Sequence, residues 1–570
     1  MYPQSSMTNS ALNTRTIIAV ALVVHALFGG PLFAQTIDFQ WARSASGTDL
    51  DIGQKVASDG SGNVFVTGYF RSDTISFGSI DLTKETGSSS SSAIFLAKYD
   101  ASGNVVWARS AGGNEEDIVN DVATDADGNV LITGGFQSDS IAFGSTTLHN
   151  AVTGASEDVF VVKYDPDGNV LWARSGGGTG GTPRDVGNAI AVDASGNVYA
   201  CGYFRSQNMA FGTATLTGVG QADAFIVKYD ANGDVLWARS EAGAGGDFCT
   251  ALDVDAGGNI YVAGHYYSNS ITIGDTTLTN TNNNYELFMA KYDTDGNPLW
   301  ARGASGNGND ESIGLATDGS GNVIVTGLFE AFPLTFGSAT LPNGGSRDIF
   351  IVKYSTLGDF LWATSAGGTY AEESGAIATD ASGSVYLTGL FGSSISFGSI
   401  AINGTLSSNV FIAKYDANGD ALWAIGAGGI DDEQGNGIAV AGADNVYVTG
   451  SFDSSSLPCG PDTLSNSGPD DVFIAKLGLV TTGVEENRFP DGIRISPNPS
   501  YGLTTVRSNF PLNNATFTIV DDFGRTVQVI RNVNGSEIPI PLGDLPIGTY
   551  LLQIKQGDKW VAMEKIILLR

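Results

Sequence analysis

Apolar runs rich in β-branched and aromatic residues, broken by short polar turns, fill residues 37–477. One unit shows the pattern: residues 121–125 (DVATD), 129–136 (NVLITGGF), 159–165 (VFVVKYD) and 169–175 (NVLWARS). Residues of these types in runs this short predict β-strands. The runs are nearly continuous in apolar character rather than alternating, which predicts strands covered on both faces. The unit recurs. Seven of the eight tryptophans fall in register (Trp41, Trp107, Trp172, Trp237, Trp300, Trp362, Trp423), at spacings of 66, 65, 65, 63, 62 and 61 residues. Four strands per unit in seven units predict an all-β chain built as a seven-bladed β-propeller. Its ends are complementary. The region opens with a lone fourth strand, residues 39–44, and closes on a third strand, residues 472–476, with no tryptophan after it. The first residues therefore supply the strand that the last blade lacks, which removes two exposed sheet edges.

The turns give each blade a polarity. Strands one and two, and strands three and four, are joined by Asp-x-x-Gly-Asn turns such as Asp165-Pro166-Asp167-Gly168-Asn169. Glycine there takes the left-handed backbone that ends a tight hairpin. The long, variable connections lie on the opposite face, one of them carrying Phe-Gly pairs such as Phe143-Gly144. Variable loops on one rim of a rigid scaffold are where binding usually resides. The repeat phrasing, including Asp193-Ala194-Ser195-Gly196-Asn197-Val198-Tyr199 and Phe225-Ile226-Val227-Lys228-Tyr229-Asp230, resembles the SBBP-like β-propeller repeats of secreted and surface bacterial proteins. That resemblance implies a fold and no particular activity.

Composition narrows the function classes. The 570 residues carry a net charge of -32, with 60 acids against 28 bases, and 76 glycines. A chain so acidic repels phosphates, so nucleic acid is excluded as a partner. Residues 485–570 hold nine acids and nine bases, so the acidity belongs wholly to the repeats. Three separated cysteines (Cys201, Cys249, Cys459) offer no zinc spacing. Buried free thiols are the expectation, with one bridge, Cys201 to Cys249, left open. The N-terminus reads as a secretory signal: Arg15, then an apolar stretch over residues 17–28, then Gly29-Gly30-Pro31. Cleavage is expected after Ala34. The apolar stretch is too short for a membrane anchor, and no other segment is long and apolar enough to span.

A carboxylate recurs at the entry to each first strand: Asp51, Asp117, Asp185, Asp247, Asp310, Glu372 and Glu433. Two readings stand. The seven form a ring at the channel mouth that binds calcium, a cationic ligand or a hydroxyl-rich one. Alternatively, each satisfies backbone N–H groups in its own loop, the reading that repetition favours. Three turns that start Asp-x-Asp-Gly-Asn (at Asp125, Asp165 and Asp293) look like calcium loops, but a strand follows at once and a tight hairpin is expected.

After Lys476 the repeat stops. Residues 478–492 read as a linker, and residues 493–570 as a small immunoglobulin-like β-sandwich of short alternating runs. This tail is similar to the type A sorting domain of the Bacteroidetes type IX secretion system. Three motifs carry the likeness: Ser496-Pro497-Asn498-Pro499-Ser500-Tyr501-Gly502, Asp522-Phe523-Gly524-Arg525-Thr526-Val527, and Leu545-Pro546-Ile547-Gly548-Thr549-Tyr550, the last followed by a terminal strand with Lys565. Tyr501 departs from the small polar residue common there. The resemblance marks Pro497, Asn498, Pro499, Gly502, Gly524, Arg525, Gly548, Tyr550 and Lys565 as sorting residues. It implies the type IX machinery as partner and delivery to the outer surface or the medium. The domains expected are thus a signal over residues 1–34, a propeller over 35–477, the linker and the sorting domain. The function expected is a secreted or surface binding or scaffold protein for a glycan, a protein or a divalent cation. The alternative is a polysaccharide lyase or glycosidase using carboxylates at the channel mouth.

Overall fold

The computed structural model describes residues 34–570, apart from residues 85–90, 155, 181–182, 305, 331, 443–444, 483–492, 499, 501, 522–524, 544, 547, 558 and 570. The signal expected over residues 1–34 lies, but for Ala34, outside the described residues, as does most of the linker. Among the described residues every regular element is a strand. The chain divides into two compact units, one over Ile37–Val480 and one holding Thr481–Arg570.

In the first unit the four runs of each repeat pair antiparallel in one sheet, and the second and fifth sheets gain two further strands from the short hairpin of the next repeat. The first sheet runs Asp51–Ser58, Val64–Phe70, Ala93–Tyr99, Val105–Ala111 in spatial order. The last sheet is Glu433–Val440, Val446–Phe452, Asp471–Thr482, and then Ala34–Ala45, the chain's own beginning. First strands of neighbouring sheets lie side by side all the way round, and Asp51–Ser58 touches both Asp117–Thr124 and Glu433–Val440. The ring is therefore closed at the seam between the last repeat and the first.

Middle strands are buried on both faces, as their unbroken apolar character predicts. Val130–Phe136 and Asp158–Tyr164 have no exposed residue. First strands face the channel on one side and so mix polar with apolar residues. Each also carries a bulge, as between Val119 and Asp121. Outer tryptophans stitch neighbours together. Trp41 Nε1 donates to the Ala101 carbonyl at 3.2 Å and Trp107 Nε1 to Pro166 at 3.1 Å, each on the turn of the next sheet. Gly103 shows why that turn needs glycine. Its φ is 80°, and a Cβ there would sit 2.7 Å from the Trp41 ring. Third-strand lysines add a second tie, as where Lys98 Nζ donates to Pro166 O at 2.9 Å. Inside a single sheet, Lys163 pairs with Asp125 at 2.9 Å.

Three boundaries differ from the sequence reading. The second repeat's first strand begins at the acid itself (Asp117–Thr124), four residues earlier than the apolar run suggests. The Phe-Gly connection is a short hairpin, Ser140–Phe143 with Thr146–His149, rather than irregular loop. The last third strand runs through Leu477 to Thr482, into what reads as linker.

Among the described residues the second unit has five strands. Ile493–Ser496, Leu503–Val520, Gly548–Gln556 and Lys559–Leu568 pair in that order, and Thr526–Pro541 also pairs with Leu503–Val520. Its core includes Val506, Phe517, Ile519, Ile540, Leu552, Ile554 and Ile566.

Candidate functional site on the loop face

All seven recurring acids are buried, none more than 1% exposed. Asp117 accepts from the Ser138 hydroxyl at 2.8 Å and from the backbone N–H groups of Gly113, Gln137 and Ser138 at 2.9, 3.1 and 3.2 Å. Ser72, Ser206 and Ser268 donate in the same way to Asp51, Asp185 and Asp247. Glu372 and Glu433 accept from Gly368 and Gly429 N–H at 3.0 and 2.8 Å. Each of these six acids thus fixes the loop that enters its own sheet. Burial is the main cause that raises every one of the seven. Asp117 stands at about 6, Asp51 and Glu372 at about 7, Asp310 at about 8.

A second acid sits close by at five of the seven junctions. It opens the third strand of the preceding sheet: Asp158 beside Asp185, Asp223 beside Asp247, Glu286 beside Asp310, Asp348 beside Glu372, and Asp471 beside Asp51. Ala93 and Asn409 occupy the other two positions. Aligning the repeats on the third-strand lysine exposes this series, since each member lies five residues before it; the apolar pattern alone does not. Among the described residues, no group of three or more His, Cys, Asp or Glu side chains is placed to hold a metal ion. The Asp-x-Asp turns are closed on themselves. Asp165 accepts from Asp167 N, Asn169 N and Asn169 Nδ2 at 3.0, 2.8 and 2.9 Å.

Chemistry that appears only once lies elsewhere. Tyr203, Phe248, His265, Tyr267 and Tyr285 gather at the junction of the third and fourth sheets. Their ring centroids are 4.9 Å (Tyr203 to Phe248), 5.2 Å (Phe248 to His265), 5.0 Å (His265 to Tyr285) and 5.7 Å (Tyr267 to Tyr285) apart. Phe248, Tyr267, Tyr285, Gln221 and Arg205 line a pocket of about 250 Å³. Arg205 also lines a polar cleft of about 420 Å³ with Glu116, Gln137, Glu157 and Arg184. Tyr267 is 44% exposed. Burial pushes His265 down to about 4, which keeps it neutral, and its Nδ1 has no partner among the described residues. The equivalents of Phe248 in the other repeats are Ile52, Ile118, Val186, Glu311, Glu373 and Gln434. The cluster is therefore not something every sheet needs.

The channel is also asymmetric. Lys55 Nζ donates to the carbonyls of Gly375 at 2.8 Å and Asn436 at 2.9 Å, reaching from the first sheet to the sixth and seventh. Burial lowers its pKa, and Asp121 is the nearby opposite charge. Asp121 itself stands at this position in the second repeat, and small residues (Ala189, Ala251, Gly314, Ala376, Gly437) in the remaining five. All three cysteines are free and buried, and the Cys201 and Cys249 side chains are hydrogen-bonded neighbours.

In the C-terminal unit the motif residues tie strand ends together. Asn498 Oδ1 accepts from Ile567 N at 2.8 Å, Thr504 Oγ1 donates to Pro497 O at 2.7 Å, and Tyr550 donates to Pro546 O at 2.6 Å. Arg525 Nε donates to Asp521 at 2.8 Å. Gly502 has φ 108°, and its carbonyl accepts from Leu542 N at 2.7 Å. Gly548 opens a strand, and Lys565 pairs with Leu551. Pro499 and Gly524 lie outside the described residues.

Residues 494–569 match the family model of the secretion system C-terminal sorting domain. A protein carrying this domain is exported by type IX secretion to the cell surface or extracellular space. An uncharacterised WD repeat-containing protein of Acanthamoeba polyphaga mimivirus is 24% identical over 446 residues, covering 64% of this chain and 31% of that protein. The regulatory protein FlaEY of Caulobacter vibrioides is 25% identical over 266 residues, covering 40% of this chain and 27% of that protein. The chain spans less than a third of the length of either relative. Among solved structures, the Pan2 WD40 domain of Neurospora crassa has a TM-score of 0.34 at 8% identity, covering 77% of this chain and 97% of that domain. Within the described residues no helix is long and apolar enough to cross a membrane.

Proposed function

We propose that the exported cargo is a seven-bladed β-propeller, closed by its N-terminal strand, that works as a carbohydrate-binding module. The C-terminal unit is then a small immunoglobulin-like sandwich that addresses the cargo to the type IX machinery. One observation carries the binding role: the aromatic cluster of Tyr203, Phe248, Tyr267 and Tyr285 beside an open pocket, at a single junction of an otherwise repeated scaffold. Aromatic faces stack on the apolar faces of sugar rings, and a few polar groups at the rim fix orientation. The recurring acids favour binding over catalysis, since six of the seven are bonded within their own loops.

The test is a glycan array probed with the full mature chain, beside Tyr267→Ala. Tyr267 is exposed, so its loss leaves the fold intact. Retained binding to some array members by the parent, lost or weakened in the variant, is the expected result. An array with no bound member sinks the reading. For the sorting unit, removal of residues 494–569 should leave the protein inside the cell envelope; unchanged surface delivery would count against it.

A further inference from the structure

We propose that the loop-face pocket selects an acidic glycan, with Arg205 receiving the carboxylate of a uronic-acid unit; this rests on the carbohydrate reading above. The other arginines of this face are committed to acids. Arg71 bonds Glu116 at 2.9 Å, Arg184 bonds Glu157 at 2.7 Å, and Arg347 bonds Glu330 at 3.0 Å and Glu373 at 2.6 Å. Arg205 follows its second strand just as Arg71 does, yet its side chain has no ion pair or hydrogen bond among the described residues. Its guanidinium instead lies 5.8 Å from the Tyr203 ring centroid. The ring flanks the guanidinium, and Arg205, an exposed residue, lines both cavities. A pre-oriented guanidinium matches a carboxylate bidentately. In a chain of net charge -32 an uncommitted arginine at a cavity is an unusual expense of positive charge.

The surroundings narrow the ligand further. The aromatic pocket has room for one sugar ring beside Arg205. The adjoining cleft presents Gln137 and three acids, Glu115, Glu116 and Glu157, which accept hydrogen bonds from hydroxyls. Its Arg184 is already paired with Glu157, so beyond Arg205 the cleft offers a second carboxylate no free cation. The ligand that fits both is a uronate flanked by neutral sugars, not a polyanion charged along its length.

The experiment uses the full mature chain in EDTA. It titrates uronate-containing oligosaccharides from glucuronoxylan, pectin and alginate, each beside its carboxyl-reduced counterpart. Reduction replaces the carboxylate by a hydroxymethyl group and leaves the rest unchanged. The acidic member of at least one pair should bind about tenfold or more tightly, the size of one hydrogen-bonded charge. Arg205→Gln should abolish that ratio while leaving affinity for the reduced sugar and the melting temperature as they were. Added salt should shrink it. Equal affinity for acidic and reduced forms overturns the proposal while leaving carbohydrate binding standing, as does an Arg205→Gln variant that keeps the ratio. Binding of no sugar at all, acidic or neutral, overturns both.

Discussion

Asp310 is a recurring acid with an unpartnered carboxylate oxygen among the described residues, and removing its charge should stabilise the protein. In four other repeats a serine hydroxyl after the second strand donates to the acid. The fifth repeat has Ala331 at that position, which carries no hydroxyl. Asp310 Oδ2 has no partner among the described residues, and burial with Glu286 and Glu330 nearby raises its pKa from 3.8 to about 8. The folded state therefore holds a proton that the unfolded chain releases above its ordinary pKa. Stability falls as pH rises between 3.8 and about 8, and levels off above. A tenfold change in acidity corresponds to about 1.4 kcal/mol, so the full rise sets a ceiling of roughly 6 kcal/mol. Glu286, itself raised to about 7, shares the same crowding, which brings the expected gain down to about 2–3 kcal/mol. Asp310→Asn keeps the shape and removes the charge. At pH 8 it should raise the melting temperature by about 2–3 °C for a unit the size of residues 37–480. At pH 5 the gain should be about a third of that or less, because only the first part of the fall in stability has then occurred. Asp117→Asn is the contrast. Its carboxylate accepts four donors, and an amide N–H₂ turned toward them should cost about 1–3 kcal/mol at neutral pH. Scanning calorimetry at pH 5 and pH 8 reads all three proteins. An Asp310→Asn protein that melts lower at pH 8, or gains as much at pH 5 as at pH 8, refutes the reasoning.

Three further outcomes are expected. Lys55→Met leaves the Gly375 and Asn436 carbonyls without their shared donor and Asp121 without its nearby cation. It should lose about 1–3 kcal/mol in chemical denaturation at pH 7, and a gain would show that burying the charge costs more than the tie returns. A chain that starts at Ser46 lacks Ala34–Ala45 and leaves the Asp471–Thr482 strand as an open edge. It should melt lower and aggregate, and an added peptide of residues 34–45 should reverse both; melting together with the full chain would remove the seam from the account. Cys201, Cys249 and Cys459 are buried, and burial raises the Cys201 and Cys459 thiols. A maleimide should label none of the three until denaturant is added, whereas stoichiometric labelling of the native chain would contradict that burial.

The parts of the fold that were legible are those the repeat writes seven times. Tryptophan spacing located the sheets because every Trp closes the same gap against the next turn. Asp-x-x-Gly-Asn marked the hairpins because only glycine fits the left-handed position under that ring. First strands were misplaced for a physical reason. They border a polar channel and contain a bulge, so residues such as Asp117 and Asn120 break the apolar run although they belong to the strand. The short outer hairpins were missed because only a few residues of each strand are apolar and buried, as in Ser140–Phe143. The acids recur at a fixed place in the repeat and are legible for that reason, and six of them bond within their own loops. The aromatic cluster was not found. Its members come from four strand ends and loops between residues 203 and 285, and no local period connects them. The signal was available in the repeat alignment, at the position of Phe248 and at the pairing of Tyr203 with Gly135 and Leu328 in other repeats.

Repetition within one chain supplies its own control for assigning roles. A residue that a sheet needs in order to fold must recur wherever the sheet recurs, as the acids, tryptophans and lysines do. A residue present once is not required by the sheet, so its cost must be offset by something outside it. Lys55 and the aromatic cluster both meet that description, yet they divide on a second criterion. Lys55 is spent inside the molecule, with its protons on two carbonyls across the channel. Arg205 is not: it occupies the place of Arg71 but has no internal acid, while Arg71 has Glu116. Uniqueness together with unspent bonding capacity at an open cavity separates a ligand-facing group from a structural one. On the loop face these two conditions meet at the junction of the third and fourth sheets.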